Sequence, residues 1–154
     1  MMMKWSSVFS RFRNFSLGLL GLLASCSTPN MEHYVYGPEF ENYIKAINAT
    51  VDNNLVLLLP LDSCGLCVDQ VLSDLDKTEK FISVILSGNQ VAKDRLDKAK
   101  KLLQKKNLQI IIDENSKSKS YDLNAFSPII IDVSKKEYSY VSLSPQNSAE
   151  FILD

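Results

Sequence analysis

Short apolar runs separated by amphipathic stretches constrain the fold of this chain more than any other feature. Residues 55–59, 81–86 and 108–112 are almost continuously apolar, as strands buried on both faces of a parallel sheet are. Between them, residues 64–77 and 91–106 repeat apolar side chains at helical spacing. This alternation predicts an α/β sandwich with a mixed central sheet, parallel in part, covered by helices.

The flanking segments complete the predicted domain. Residues 38–48 form a predicted helix that opens at Gly37-Pro38, and residues 145–153 a predicted closing helix. Residues 129–133 and 138–143 flank a short polar turn and predict a β-hairpin. Residues 113–127 are expected to form a polar loop.

The N-terminal residues form three zones. Lys4, Arg11 and Arg13 make a positive start, an apolar run follows over residues 15–23, and Leu23-Ala24-Ser25-Cys26 ends the segment. The run is too short to span a hydrocarbon core of about 30 Å, but its length is typical of a signal peptide. The four-residue motif resembles the lipobox of bacterial lipoprotein signal peptides.

That resemblance implies that residues 1–25 are a cleaved lipoprotein signal peptide and that Cys26 receives a diacylglycerol. Residues 26–33 would then be a lipid-anchored tether, and residues 34–154 a single folded domain. The implied location is the bacterial cell envelope, facing the periplasm, since no acidic run follows Cys26. The alternative is an ordinary signal peptide that happens to precede a cysteine.

Charge and histidine content narrow the possible functions. The three cations of residues 1–25 leave 14 basic and 18 acidic residues after them, a net charge of −4, which does not favour nucleic acid as a partner. His33 is the only histidine and lies in the predicted tether, which argues against histidine-based catalysis. A zinc site needs four ligands, and beyond Cys64 and Cys67 the predicted mature chain offers one histidine and no cysteine other than the anchor Cys26, so such a site is disfavoured.

The chemical motif is Cys64-Gly65-Leu66-Cys67, which follows a predicted buried strand and opens a predicted helix. At positions i and i+3, the two sulfurs face one side of the first turn and can form a disulfide. The helix N-terminus lowers the pKa of the Cys64 thiol. The thiolate attacks in disulfide exchange and a second cysteine resolves the mixed disulfide. A purely structural disulfide is the alternative.

The order strand, Cys-x-x-Cys, helix, strand, helix, strand and proline-led hairpin resembles the thioredoxin superfamily, and within it the membrane-tethered TlpA and ResA type. Residues 108–115, 121–123 and 127–132 are similar to segments of that branch, and the resemblance covers about residues 38–154. It implies a thioredoxin-like three-layer sandwich.

The resemblance also implies roles for individual residues. Cys64 would be the nucleophile and Cys67 the resolving thiol. Pro128 would be a cis-proline facing them, and Ser127 and Pro128 would bind an extended substrate segment. The implied activity is thiol-disulfide exchange with exported proteins, supported by an upstream redox protein and without a cofactor.

Three positions differ from the family pattern. Ser63 replaces an aromatic residue, Leu66 replaces a proline, and Leu58 stands where thioredoxins keep a buried acid. That acid helps to deprotonate the resolving cysteine, so Cys67 is expected to have a high pKa unless Asp62 substitutes from the loop.

Two other functions remain open. Peroxiredoxins share the fold and place a proline and a threonine before the reactive cysteine; Pro60 and Cys67 have that spacing, but Cys64 occupies the threonine position. Arg95 is the only arginine after residue 25, and its lysine-rich helix is expected to place it poorly for polarising a peroxide. The other possibility is a scaffold lipoprotein with a structural disulfide.

We predict that Cys26→Ala abolishes lipid attachment, because Cys26 is the cysteine of the lipobox-like motif. In cells fed labelled palmitate, the variant should carry no label and accumulate as an unprocessed or soluble exported form. Cys64→Ala serves as the control and should be labelled normally. Undiminished labelling of Cys26→Ala would refute the lipid anchor.

Overall fold

The computed structural model describes residues 30–154. Residues 1–29, with the predicted signal peptide and Cys26, lie outside that range. The described elements are β1 (Glu32–His33), α1 (Gly37–Ala46), β2 (Leu55–Pro60), α2 (Gly65–Lys77), β3 (Ile82–Ser87), α3 (Lys93–Leu102), β4 (Leu108–Ile112), a 3₁₀ turn (Lys117–Ser120), β5 (Ile129–Asp132), β6 (Ser139–Ser142) and α4 (Ser148–Ile152).

The strands form one six-stranded mixed sheet in the order β1-β6-β5-β2-β3-β4. Strands β2, β3 and β4 are parallel, and α2 and α3 cross between them. Strand β5 runs antiparallel to β2, β6 antiparallel to β5, and β1 antiparallel to β6. The predicted fold class is confirmed: the protein is an α/β sandwich consistent with a thioredoxin-like three-layer architecture.

The apolar run of β2 is continuous because helices cover both faces of the sheet. Leu57 and Leu59 belong to a core shared with α2, α3 and α4. Val56 and Leu58 point the other way, into a second core with α1. Alternate side chains of a strand point to opposite faces, so residues 56–60 of β2 are each buried on one side or the other, and only Leu55 at the start of the strand is half-buried.

The end of α3 differs from the prediction, which carried this helix over residues 91–106. The backbone N–H groups of Leu103, Gln104 and Lys105 each bond to the carbonyl three residues earlier. Such bonds tighten the last turn into 3₁₀ geometry and commonly end a helix. The observed helix therefore stops at Leu102.

The folded domain begins earlier than residue 34. Glu32 and His33, assigned to the tether, pair with Tyr140 and Ser139 of β6. The next residue, Tyr34, is 2% exposed, and its hydroxyl donates a 2.7 Å hydrogen bond to the carbonyl of Leu123. Burial of Tyr34 therefore draws the two preceding residues onto the sheet edge.

Within residues 30–154, no helix combines the length and the hydropathy needed to cross a membrane. The longest described helix, α2, has 13 residues and several acidic side chains.

Helices α2 and α4 are joined by a buried polar contact. Asp74 is 1% exposed and Ser148 is fully buried, and the Ser148 hydroxyl donates a hydrogen bond to Asp74 Oδ2. The other carboxylate oxygen accepts a 3.0 Å bond from Gln70. Because a buried carboxylate needs partners, this contact fixes the docking of the C-terminal helix.

We predict that Ser148→Ala lowers the free energy of unfolding by about 1–3 kcal/mol, because one oxygen of Asp74 loses its partner in the interior. Urea unfolding measures the change. Ser73→Ala on the exposed side of α2 is the control and should stay within about 0.5 kcal/mol of wild type. Equal effects of the two substitutions would contradict the role of this contact.

Candidate functional site

The loop that carries the cysteines is fixed at the end of β2. The Ser63 hydroxyl and backbone N–H both donate to the carbonyl of Pro60, at 2.7 and 3.1 Å. The Leu61 N–H donates to the carbonyl of Ser87 at the end of β3. These bonds hold the chain in a tight turn, so α2 begins directly beyond it at Gly65.

Cys64 and Cys67 form a disulfide, with their Cα atoms 5.3 Å apart. The two sulfurs of the motif are thus within bonding distance, as their i and i+3 spacing predicts. Cys64 is exposed and immediately precedes the first residue of α2, whereas Cys67 is half-buried one turn inside. Cys64 is therefore the more accessible of the two residues to a partner protein.

The segment containing Ser127 and Pro128 lies at the same end of the sheet. Strand β5 pairs with β2 so that Ile129 stands opposite Leu58. Continuing that register by one residue places Pro128, which is buried, opposite Leu59 near the end of β2. The carbonyl of Pro128 accepts a 2.7 Å hydrogen bond from Leu143. A cis Ser127–Pro128 bond in contact with the disulfide stays a prediction.

A cleft of about 380 Å³ lies between the cysteine loop and the loop that leads into β5. Ser63, next to Cys64, lines one wall and Phe126, next to Ser127, lines another, whereas Cys64, Cys67, Ser127 and Pro128 are not among its lining residues. Phe126 is 86% exposed, and Leu66, between the two cysteines, is 76% exposed. Both apolar side chains are therefore open to solvent.

The floor of the cleft is apolar where thioredoxins keep an acid. Leu58 is buried and packs in one core with Tyr43 and Ile85, and all three line the cleft. The Tyr43 hydroxyl donates a 3.1 Å hydrogen bond to Asp113. Burial, and then the neighbouring Asp113 carboxylate, raise the pKa of Tyr43, which keeps this hydroxyl protonated.

Asp62, the suggested substitute for that acid, is held by other partners. Its Oδ2 accepts hydrogen bonds from Lys119 Nζ at 2.7 Å and from the Asn89 N–H at 3.2 Å. The bond from Lys119 holds the pKa of the Asp62 carboxyl below its usual range, against partial desolvation. Gly88 lies against the Asp62 backbone with φ +136°, a conformation that glycine readily adopts.

Arg95 extends from the lysine-rich helix α3 to the cysteine loop. Its Nη1 donates a 3.2 Å hydrogen bond to the carbonyl of Leu61, and its Nε lies 3.4 Å from Asp69 Oδ1. Desolvation opposes ionisation of Asp69, yet bonds from Arg95 and Lys98 hold the pKa of that carboxyl below its ordinary value. Residue spacing places Arg95 on α3 but does not reveal that the first turns of α3 face the cysteine loop.

Lys119 and Phe126 also belong to the site, and sequence reasoning left them in a polar loop. Asp113 orders the start of that loop, since its two carboxylate oxygens accept the N–H groups of Lys117 and Ser118. The nearest sequence signal is the aromatic residue Phe126 just before Ser127-Pro128.

Among residues 30–154, no group of three or more histidine, cysteine or acidic side chains is arranged to hold a metal ion. His33 is exposed on β1.

No protein-family model matches this chain, and nothing among curated proteins or solved structures matches it.

We predict that Asp62 stabilises the fold most at neutral pH. Its pKa in the folded state is below that of the unfolded chain. The stabilisation is therefore complete above the unfolded pKa and is lost as pH falls through the folded one. Asp62→Asn should lower the stability at pH 7, and the difference should shrink below about pH 4.

Urea unfolding measured from about pH 2 to about pH 8 tests this, because that range covers the titration of an aspartate carboxyl on both sides. Lys119→Gln supplies the control: in that background, Asp62→Asn should cost less at pH 7 because the cation is gone. A difference that grows as the pH falls would contradict the sign of the shift.

Proposed function

We propose that this protein is a lipid-anchored thiol-disulfide oxidoreductase of the thioredoxin-like TlpA and ResA type, which exchanges disulfides with exported proteins. The observation that carries the proposal is the Cys64–Cys67 disulfide at the start of α2, with Cys64 exposed and Cys67 half-buried. This asymmetry suits a nucleophile that meets the substrate and a resolving thiol that stays behind.

The exchange takes two balanced steps. The Cys64 thiolate attacks one sulfur of a substrate disulfide, forms a mixed disulfide and releases the other substrate sulfur as a thiolate. The Cys67 sulfur then gives up its proton and attacks Cys64. This step releases the second substrate sulfur and restores the Cys64–Cys67 disulfide. An external dithiol protein returns the two electrons, and the same steps in reverse oxidise a substrate dithiol.

The surroundings of Cys64 favour an extended, apolar protein segment as the substrate. Phe126 presents an exposed apolar side chain at the cleft, and Leu66, between the two cysteines, is also exposed. Ser127 and Pro128, at the start of β5, are the proposed backbone contacts for that segment. No cofactor is needed, because the two sulfurs carry the electrons themselves.

The anchor and location are part of the proposal and rest on the Leu23-Ala24-Ser25-Cys26 motif. Two or three acyl chains on Cys26 would hold the domain stably at a membrane, since each buried CH₂ contributes about 0.8 kcal/mol. Substrates and the redox partner would then be proteins of the bacterial envelope that face the periplasm, where disulfides persist.

Thiol peroxidase is the second candidate, and the position of Arg95 favours it. A guanidinium beside a reactive cysteine can polarise a peroxide, and this one bonds to Leu61 within the cysteine loop. However, Cys67 has the peroxiredoxin-like spacing from Pro60 and is the less exposed of the two cysteines. We therefore place disulfide exchange first.

We predict that Cys67→Ser accumulates a mixed disulfide with envelope proteins, whereas Cys64→Ser forms none. The physical reason is that Cys64 makes the first bond and Cys67 breaks it. Both variants should lose insulin-disulfide reduction. Adducts are detected on non-reducing gels of membranes and should disappear on treatment with a thiol reductant.

Alkylation of the reduced wild-type protein at neutral pH gives an independent measurement, in which Cys64 should react first. Equal rates, or a faster rate at Cys67, would refute the assignment of nucleophile and resolving thiol. Rapid hydrogen peroxide turnover would favour the peroxidase. A Cys64–Cys67 disulfide that exchanges with no thiol would favour the scaffold lipoprotein, in which that disulfide is structural.

A further inference from the structure

The guanidinium of Arg95 spans the cysteine loop. It bonds to the carbonyl of Leu61, three residues before Cys64, and to the carboxylate of Asp69, two residues after Cys67. The side chain is only 18% exposed. An arginine held by residues that precede and follow the Cys-x-x-Cys motif in the chain keeps a positive charge beside that motif.

The third nitrogen of this guanidinium lies against Gly65. A Cβ built on Gly65 would stand 3.8 Å from Arg95 Cζ, which is an ordinary contact. It would stand only 2.7 Å from Arg95 Nη2, which is closer than real Cβ atoms approach. No positive φ is recorded for Gly65, so the backbone does not require glycine, and alanine would be the better helix former. The absence of a side chain at residue 65 is therefore what lets the guanidinium approach the loop.

Charged side chains of both signs surround the loop. Arg95 and Lys98 share the carboxylate of Asp69, and Lys119 pairs with Asp62 on the other side of Cys64. Asp122 lines the cleft beside Lys119, so Arg95 is set apart by its contact with Gly65 and not by an excess of positive charge. Nη1 of Arg95 donates to Leu61 and Nε lies 3.4 Å from Asp69 Oδ1, while Nη2 is the nitrogen that lies against Gly65.

We propose that Arg95 is the residue that stabilises the thiolate of Cys64 in the reduced pair, and so sets its reactivity and the redox equilibrium of the Cys64–Cys67 couple. This inference rests on the proposed disulfide exchange. When a dithiol donates two electrons to the disulfide and becomes a disulfide itself, Cys64 leaves as a thiolate, Cys67 takes up one of the two protons and the other goes to solvent. The new negative charge forms on the residue before Gly65, against which Nη2 of Arg95 lies, and a guanidinium there favours the thiolate.

The α2 N-terminus acts in the same direction as Arg95, so each contribution must be separated by experiment. The lipidated protein in detergent is reduced chemically, and the Cys64 thiolate is followed by ultraviolet absorbance against pH in the Cys67→Ser variant. The redox equilibrium with glutathione is measured with both cysteines present.

Arg95→Gln should raise the pKa of Cys64 and make the disulfide about tenfold harder to reduce, which is ~30 mV for a two-electron couple. Arg95→Lys should recover part of this change, because it keeps the charge but not the planar donor set. Lys98→Gln is the matched control, since Lys98 lies on the same helix and also bonds to Asp69. It should change the equilibrium less than about twofold.

Gly65→Ala tests the same contact from the other side. The added methyl group must shift the flexible end of Arg95, so the substitution should raise the pKa of Cys64 in the same direction as Arg95→Gln but by less. In the Arg95→Gln background it should add no further shift, because no guanidinium remains to be displaced. Additive shifts would overturn the proposed contact.

The outcomes separate this inference from the proposed function. A Cys64 thiol that titrates identically in wild type and Arg95→Gln overturns the role of Arg95, whether or not the protein exchanges disulfides. If the protein exchanges no disulfides, the proposed function fails. The titration of the chemically reduced thiol still supports or overturns the electrostatic contact.

Discussion

Burial of β2 on both faces is the constraint on which the rest of the structure depends. This strand pairs with parallel β3 on one side and antiparallel β5 on the other, and its side chains enter both cores. The end of β2 is therefore fixed in all directions. The cysteine loop continues from that end, so its position follows first from the burial of residues 56–60, and the bonds of Leu61 and Ser63 then fix its turn.

The sequence could predict what depends on local periodicity. The run over residues 108–112 matches β4 residue for residue, and the start of α2 lies within one residue of its expected position. It could not predict pairings between distant segments. The bonds of Arg95 to Leu61 and of Lys119 to Asp62 join residues 34 and 57 positions apart. Such contacts depend on how crossovers and loops pack, and a solvated lysine-rich helix gives no hint of them.

The two ion pairs beside the cysteine loop come from different layers of the molecule. Arg95 belongs to α3, which packs with α2 on one face of the sheet, and Lys119 belongs to the 3₁₀ turn that contacts α1 on the other. Each cation meets a carboxylate close to the motif, Asp69 or Asp62. The loop is thus held between opposite sides of the sandwich, although no residue within the motif is itself charged.

Because Glu32 and His33 pair with β6, the segment that could link the domain to a membrane anchor is shorter than the sequence predicts. With Cys26 as the proposed anchor, only five residues separate the lipid from the first strand, and an extended chain of that length reaches at most about 18 Å. The domain could not then search far into the periplasm. It would meet proteins that are at the same bilayer. Its choice of partner would therefore depend on proximity to that membrane as much as on complementarity of the binding surfaces.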